Sequence, residues 1–323
     1  MLQKLPFKPI RLVIVFAFLA AAGVTAGAQR FFFRPAPAPA TTPTSTVIPI
    51  VTTIEPLTEF ARAVGGQHVA VQRLIPNGVE AHDYEPTPGD LARINNARLL
   101  VYNGNSIDDW VTKLTDKPVV LTSAEITPIR DNDTKVADPH FWLDPQLASK
   151  QVSAIEQALV ATDPDHREDY QINAENYRKQ LAALDAEIAA GLANCQRRDV
   201  VITHNAFRYF AKRYNLNIIS IVGSGADAEP SPQRLSEVAN FIREHHIPYI
   251  LSESEELEDF KIVDTLSRET GAKNLTLSTM EKSFGNDTPL IRQGDMTYVA
   301  IVRHYVQSQR SNLNTLRTAL QCE

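Results

Sequence analysis

The sequence has few or none of the residues and motifs on which several classes of protein depend. It contains two cysteines in 323 residues, too few for a Cys-rich zinc module or a multiple-disulfide scaffold, although enough for one bridge. It contains neither the HExxH motif of zinc proteases nor the GxSxG motif of α/β-hydrolases,. Internal repeats of short period are also absent. These absences exclude the commonest secreted scaffolds and weaken the case for an enzyme.

Positive charge is scarce in the body of the chain. Five of the 32 basic residues lie in positions 1–46, which hold no acidic residue, so 27 basic residues face 38 acidic ones in the remainder, a net charge of −11. A body this acidic is repelled by a phosphate backbone, and we expect no nucleic acid partner. The content of hydrophobic residues, 43%, is that of a soluble globular protein,. The length predicts about two domains.

The N-terminus carries the longest apolar run. Three basic residues precede the 17 uncharged residues Leu12–Ala28, which end in small side chains. This pattern is typical of a secretory signal, yet the run also reaches the lower limit for spanning a bilayer. Residues 1–28 are therefore predicted to be a signal peptide or an uncleaved membrane anchor, and the protein is expected in the periplasm or another extracytoplasmic space. Residues 29–46, rich in proline and threonine, are predicted to form an extended tether.

Strand-like and helix-like segments alternate from Val47 onward, and the pattern restarts after residue 198. Such alternation predicts two α/β lobes with mostly parallel sheets, at 47–162 and 196–323. Between them, at 163–195, apolar residues recur at the spacings of one helix face. They are Tyr170, Tyr177, Leu181, Leu184, Ile188 and Leu192. We therefore expect one long, stiff helix that links the lobes.

Three of the eight histidines stand in loops with unusual neighbours. His82 and His204 follow predicted strands, where ligand sites form in open α/β sheets, and His140 lies between two prolines,. Taken singly, each histidine suits a hydrogen-bonded surface position as well as a ligand. Together they permit a three-imidazole site for zinc or another borderline divalent ion. Their separations match no short metal-binding motif, so spacing alone does not establish the site.

The segments around these histidines, EAHDYEPTPGD, DPHFWLDP and THNAFRYFAKRYNL, resemble those of the metal-binding solute receptors of ABC importers for zinc and manganese. The resemblance covers about residues 47–320, with the three motifs in the family's order. It implies two pseudo-symmetric lobes joined by a rigid helix, with the metal between them. It also implies a binding protein without enzymatic activity, which delivers its ion to the importer's permease and ATPase. We expect a monomer that binds one ion per chain.

The same resemblance assigns the ligands. His82, His140 and His204 match the family's first three ligand positions. Histidine at the third position favours Zn²⁺ over the alternatives, Mn²⁺ or iron, because imidazole suits zinc. The fourth ligand falls at Ser278 or Glu281, depending on a three-residue difference in loop length. We choose Glu281, with Ser278 or water as the alternatives. The histidine-rich loop that many zinc receptors carry before the second ligand has no counterpart here.

Some features admit other interpretations. A secreted zinc hydrolase would also use three protein ligands, but it would need an open fourth position and a general base. The acidic run that begins at Glu253 is interpreted as a solvated helix start. Phe141 and Trp142 are expected to pack the lobe rather than to face the metal. Cys195 and Cys322 are the only cysteines of a chain that carries an export signal, so we predict that they form a disulfide,.

Overall fold

The computed structural model describes residues 47–117, 119–131, 135–222, 230–253, 257–281 and 303–323. The signal or anchor predicted at 1–28 and the tether predicted at 29–46 lie outside these residues. Among the described residues, no helix is both long enough and apolar enough to cross a membrane.

The first lobe is built on a parallel sheet of four strands in the order β2-β1-β3-β4. Its strands are β1 Ile48–Thr52, β2 Val69–Arg73, β3 Leu99–Tyr102 and β4 Val119–Leu121. Its helices are α1 Glu55–Gly65, α2 Pro88–Asn96 and α3 Pro145–Thr162. The strands are rich in valine, isoleucine and leucine, as expected where helices cover both faces of a parallel sheet.

The second lobe repeats the arrangement with a parallel sheet in the order β6-β5-β7-β8. Its strands are β5 Asp199–Ile202, β6 Asn217–Ser220, β7 Tyr249–Glu253 and β8 Lys273–Leu277. Its helices are α5 Arg208–Tyr214, α6 Pro232–Glu244, α7 Leu257–Thr270 and α8 Arg303–Leu320. Since the two sheets share one strand order, the prediction of two pseudo-symmetric α/β lobes is confirmed.

The linking helix, α4, runs from Arg167 to Gly191 after a 3₁₀ turn at Pro164–His166. Its 25 residues correspond to a length of about 37 Å,. The helix is somewhat shorter than the span predicted from the sequence, residues 163–195. All six apolar positions of the predicted face are buried. They pack against α1, α3 and α8, so α4 contacts elements of both lobes. The exact domain boundaries stay a prediction, because one hydrophobic cluster runs through both lobes and α4.

Two segments differ from the sequence-based expectation. The 18-residue helix α3 is not part of the predicted strand–helix alternation, yet it packs along α4. The segment IDDWVTKL lies between two strands, where the alternation of strands and helices predicts a helix, but it forms only a short 3₁₀ turn at Asp109–Lys113. The reason lies at Asp108, whose buried carboxylate accepts hydrogen bonds from the Thr53 hydroxyl and from the backbone N–H groups of Asn103 and Gly104. These bonds hold the start of the segment as a loop.

A buried carboxyl group joins three helices. Glu59 on α1 accepts a hydrogen bond from the Tyr177 hydroxyl on α4, at 3.1 Å, and one from the backbone N–H of Tyr305 in the first turn of α8, at 2.8 Å. Burial raises the pKa of Glu59 to about 8, although both hydrogen bonds lower it. The contact ties the start of α8 to the first lobe.

Cys195 and Cys322 form a disulfide across 127 residues, as predicted. Cys195 follows α4 and Cys322 follows α8, so the bridge fastens the end of the linking helix to the C-terminus. Backbone hydrogen bonds from Gln196 to Gln321 and from Arg197 to Leu320 accompany it. The last helix is therefore held at both of its ends.

Candidate metal centre

His82 lies in the loop between β2 and α2, beyond the carboxyl end of its strand. Gly78 turns the loop with a φ of 75°, a conformation that favours glycine,. The Glu80 carboxylate then accepts hydrogen bonds from the backbone N–H groups of Ala81, at 3.0 Å, and His82, at 3.5 Å. Further along, the Tyr84 hydroxyl donates to Asp90 in the first turn of α2. These contacts fix the loop on both sides of the histidine.

His140 is completely buried at the start of a 3₁₀ turn that leads into α3. One carboxylate oxygen of Asp138 accepts hydrogen bonds from the backbone N–H of His140, at 3.0 Å, and from its Nδ1, at 2.7 Å. Because Nδ1 carries the proton in that bond, Nε2 is left to face the centre. Carboxylate partners of this kind orient metal-binding imidazoles and raise their basicity.

His204 follows β5 in the second lobe and is oriented in the same way from a distant residue. Its Nδ1 lies 2.8 Å from a carboxylate oxygen of Glu253, the last residue of β7, which is the neighbouring strand. The interpretation of Glu253 as part of a solvated helix start is therefore wrong, because its side chain is largely buried against His204. Residues 254–256 of the same acidic run lie outside the described residues.

The structure brings these three histidines together from different parts of the fold. One ring nitrogen of each lies within 4.8 Å of the other two. The Nε2 atoms of His82 and His140 are 3.4 Å apart, and the ring centres of His140 and His204 are 4.9 Å apart. The first lobe supplies His82 and His140, and the second supplies His204. The cluster thus lies between the lobes.

Glu281 adds a carboxylate to this cluster. Its two oxygens lie 3.0 Å from Nε2 of His140 and 3.9 Å from Nε2 of His82. Both oxygens are buried, and neither accepts a hydrogen bond from any described residue. Ser278, the other sequence-based choice for the fourth ligand, is held elsewhere, because its backbone N–H and carbonyl both bind the Asn312 side chain. The nearby partners of Glu281 are thus the imidazoles of His140 and His82, and a cation in the cluster would neutralise the buried carboxylate,.

The electrostatics of the cluster suit a site that exchanges protons for a cation. Burial lowers the pKa of His82 to about 3, and the neighbouring imidazoles act in the same direction. Burial also lowers the pKa of His140, but the carboxylates of Asp138 and Glu281 outweigh it and raise the value to about 10. Burial raises the pKa of Glu281 to about 7. These pKa values place a proton on His140 beside the Glu281 carboxylate, and a metal ion bound at Nε2 of His140 would displace it.

The aromatic pair after His140 packs the lobe, as predicted, since both side chains are completely buried. Trp142 does more than fill space. Its ring centre is 5.3 Å from that of His140, and its indole N–H donates to the carbonyl of Thr279 at 2.7 Å. Thr279 stands two residues before Glu281, so the Trp142 side chain connects His140 of the first lobe to the second-lobe segment that carries the carboxylate.

Sequence reasoning missed two supporting carboxylates. Asp138 could have been noticed as an acid two residues before a loop histidine. Glu253 could be found only by knowing that β7 lies beside β5. The contacts of both residues with Nδ1 determine which imidazole nitrogen faces the centre.

Comparison with known proteins bears directly on this centre. Residues 50–319 match the family described as "Zinc-uptake complex component A periplasmic", ZnuA. The chain belongs to this family. The match includes both lobes, α4 and all four residues of the cluster.

Individual members agree with this placement. The chain is 34% identical over 251 residues to the "High-affinity zinc uptake system protein ZnuA" of Bacillus subtilis, covering 72% of this chain and 78% of that protein. It is 32% identical to the "Zinc-binding lipoprotein AdcA" of Streptococcus pneumoniae, covering 83% of this chain but only 55% of AdcA. It is also 31% identical to the "Iron-binding protein YfeA" of Yersinia pestis, covering 80% of this chain and 84% of that protein.

The fold agrees with a solved structure of the family. The Zn(II)-bound ZnuA-like domain of AdcA superimposes with a TM-score of 0.70 at 30% identity, covering 85% of this chain and 99% of that domain. The chain therefore corresponds to one domain of AdcA, about half of that protein's length.

Proposed function

We propose that this protein captures Zn²⁺ outside the cytoplasmic membrane and delivers it to the permease of an ABC importer. Its ligands are His82, His140, His204 and Glu281, one ion per chain. The single observation that carries the proposal is the group of three imidazole nitrogens within 4.8 Å of one another, closed by a buried carboxylate without hydrogen bonds. The matched family, a component of zinc-uptake complexes, supports it.

The composition of the cluster supports zinc over manganese or iron. Three imidazoles and one carboxylate form a nitrogen-rich set of four ligands of the kind that zinc favours, whereas manganese prefers a larger share of oxygen ligands. Zinc also lies above manganese and iron in the general order of affinity for such sites. Relatives of similar identity carry zinc-binding and iron-binding names, so overall similarity does not choose the metal, and the donor set does.

Glu281 also supports a receptor over a zinc hydrolase. Catalytic zinc keeps one coordination position for water. In the site proposed here Glu281, 3.0 Å from His140, would fill that position. We therefore propose binding and transfer without catalysis. The protein acts as a monomer, exported and held near the membrane by its N-terminal segment or released by cleavage.

The test is elemental analysis of the purified protein, followed by competition titration with Zn²⁺, Mn²⁺ and Fe²⁺. We expect one zinc per chain and a preference for Zn²⁺ over the other two ions of at least 100-fold. Preferential binding of Mn²⁺ or Fe²⁺ would contradict the zinc assignment. Retention of zinc by the triple variant His82→Ala/His140→Ala/His204→Ala would contradict the site itself.

A further inference from the structure

A second group of three donors overlaps the candidate metal centre. One carboxylate oxygen of Glu80, one ring nitrogen of His82 and one carboxylate oxygen of Glu281 lie within 4.8 Å of one another. This group shares His82 with the three-imidazole cluster. Glu281 also belongs to both, because it lies 3.0 Å from His140. The two groups therefore have two residues in common, His82 and Glu281.

The two groups differ in how solvent reaches them. In the inner group the side chains of His140 and His204 are 0% and 5% exposed, and that of His82 is 12% exposed. Glu80, which belongs only to the outer group, is half-buried. Glu80 and His82 are thus the partly exposed members of the two groups, whereas Glu281 is only 1% exposed, so an ion that enters from the side of Glu80 and His82 meets the outer group first.

The charges of the two groups also differ. The outer group offers two carboxylates and one imidazole, whereas the inner one offers one carboxylate and three imidazoles. Two carboxylates match the charge of a divalent cation that is still partly hydrated, because oxygen ligands and water suit such ions. The buried oxygens of Glu281 accept no hydrogen bond from the described residues, so they can serve a cation in either group.

We propose that Glu80, His82 and Glu281 form an outer site through which Zn²⁺ enters and leaves the inner site. The inference rests on the proposed function. The ion keeps His82 and Glu281 throughout and exchanges Glu80 for His140 and His204. Because two ligands are retained, the ion passes into the buried site without a step in which it is bound by water alone.

This role has a kinetic signature. A ligand that contacts the ion only during passage stabilises the transition state without stabilising the loaded state. Its removal slows binding and release by the same factor and leaves Kd unchanged, since Kd is the ratio of the two rates. A permanent ligand would change Kd chiefly through release, and a distant charge would change binding alone in a salt-dependent way.

The test compares Glu80→Gln with wild type by stopped-flow measurement of Zn²⁺ binding and of release to an excess of chelator. Glutamine keeps a carbonyl oxygen that can accept the Ala81 N–H, so the loop turn is retained. The matched control is Glu85→Gln, which removes the same charge from an exposed position of the same loop. We expect Glu80→Gln to slow both rates about tenfold with Kd within threefold of wild type, and Glu85→Gln to change neither.

Unchanged rates in Glu80→Gln would overturn the outer site. So would a tenfold loss of affinity through faster release, which would make Glu80 a permanent ligand, or a slower binding rate that disappears at high salt. Glu80→Asp, which keeps the carboxylate, provides a second variant and should lie closer to wild type than Glu80→Gln. Zinc content separates the two ideas: wild type without zinc defeats the proposed function, whereas zinc-loaded variants with unchanged rates defeat only the outer site.

Discussion

The two lobes hold their histidines by different means, although their sheets share one strand order. In the first lobe, His140 is oriented by Asp138, two residues away in the same loop. In the second, His204 is oriented by Glu253, 49 residues away on the adjacent strand. Both carboxylates bind Nδ1 and leave Nε2 for the proposed metal. The first lobe thus builds its ligand locally, whereas the second depends on correct pairing of its strands.

The lobes also differ in their covalent links, and the largest expected effect is that of the disulfide on the free energy of unfolding. Only the second lobe is closed by a disulfide among the described residues, between the end of α4 and the C-terminus. The double variant Cys195→Ser/Cys322→Ser should lose about 4–5 kcal/mol of unfolding free energy on the chain-entropy model for so long a loop. Urea unfolding of the variant and of wild type measures it. A loss below about 1 kcal/mol would show that the backbone contacts around the bridge suffice.

The next largest effect should follow removal of a ligand. His140→Ala should weaken Zn²⁺ binding at least 100-fold, equivalent to about 2.7 kcal/mol, because it removes the most deeply buried imidazole of the cluster,. Competition titration with a chelator measures the affinity. His304→Ala, at an exposed position on α8, is the control and should bind as wild type does. Equal affinities for the two variants would remove His140 from the site.

The comparison between local and distant support can be tested directly. Asp138→Asn and Glu253→Gln should each weaken zinc binding by about 10- to 100-fold, the usual range for residues that orient a metal-binding histidine. Asp138→Asn should have the larger effect, because Asp138 also accepts the backbone N–H of His140. Asp169→Asn, which removes the partner of His68 at the other end of β2, is the control. If Glu253→Gln binds zinc with wild-type affinity, the second lobe orients His204 without the carboxylate of Glu253.

The pH dependence of zinc binding should reflect the protons that the cluster carries. His140, with its pKa near 10, is protonated in the metal-free protein at neutral pH, and Glu281 gains a proton as pH falls through about 7. Zinc must displace these protons, so affinity should fall about tenfold per pH unit for each one, and more steeply below pH 7 than above it. Titration calorimetry in buffers of different ionisation enthalpy counts the protons released. In Glu281→Gln the steeper portion should become shallower, and the rest is due to His204, whose pKa burial lowers but Glu253 raises above its usual value.

The smallest effect concerns metal preference. His204→Glu should narrow the gap between Zn²⁺ and Mn²⁺ by about tenfold, chiefly by weakening zinc, because it replaces an imidazole with the oxygen ligand that manganese prefers. Competition titration with both ions measures this change in preference. The same titration of a variant that also carries Glu281→Ala shows how much of the change depends on Glu281. An unchanged preference would mean that His204 does not contact the ion.

These differences explain what could be predicted from the sequence. The buried face of α4 follows from the periodic spacing of its apolar residues. The positions of His82 and His204 follow from their place directly after predicted strands. Both features can be recognised in the sequence. The role of Glu253 depends on which strands become neighbours, and its acidic surroundings resemble an ordinary helix start. Glu281 could be placed only to within three residues, because the loop before it has no periodicity. The alternation of strands and helices does not predict α3, because this helix follows a 3₁₀ turn rather than a strand.

Trp142 gives the protein a built-in optical reporter. Its indole lies against the His140 ring and is hydrogen-bonded to the opposite lobe, while Trp110, the only other tryptophan, stands in the 3₁₀ turn beside β4. A protonated imidazole near an indole quenches its fluorescence, and a bound ion would remove that proton. Emission from a Trp110→Phe variant would therefore follow occupancy of the site continuously, without a dye or a chelator that competes for the metal.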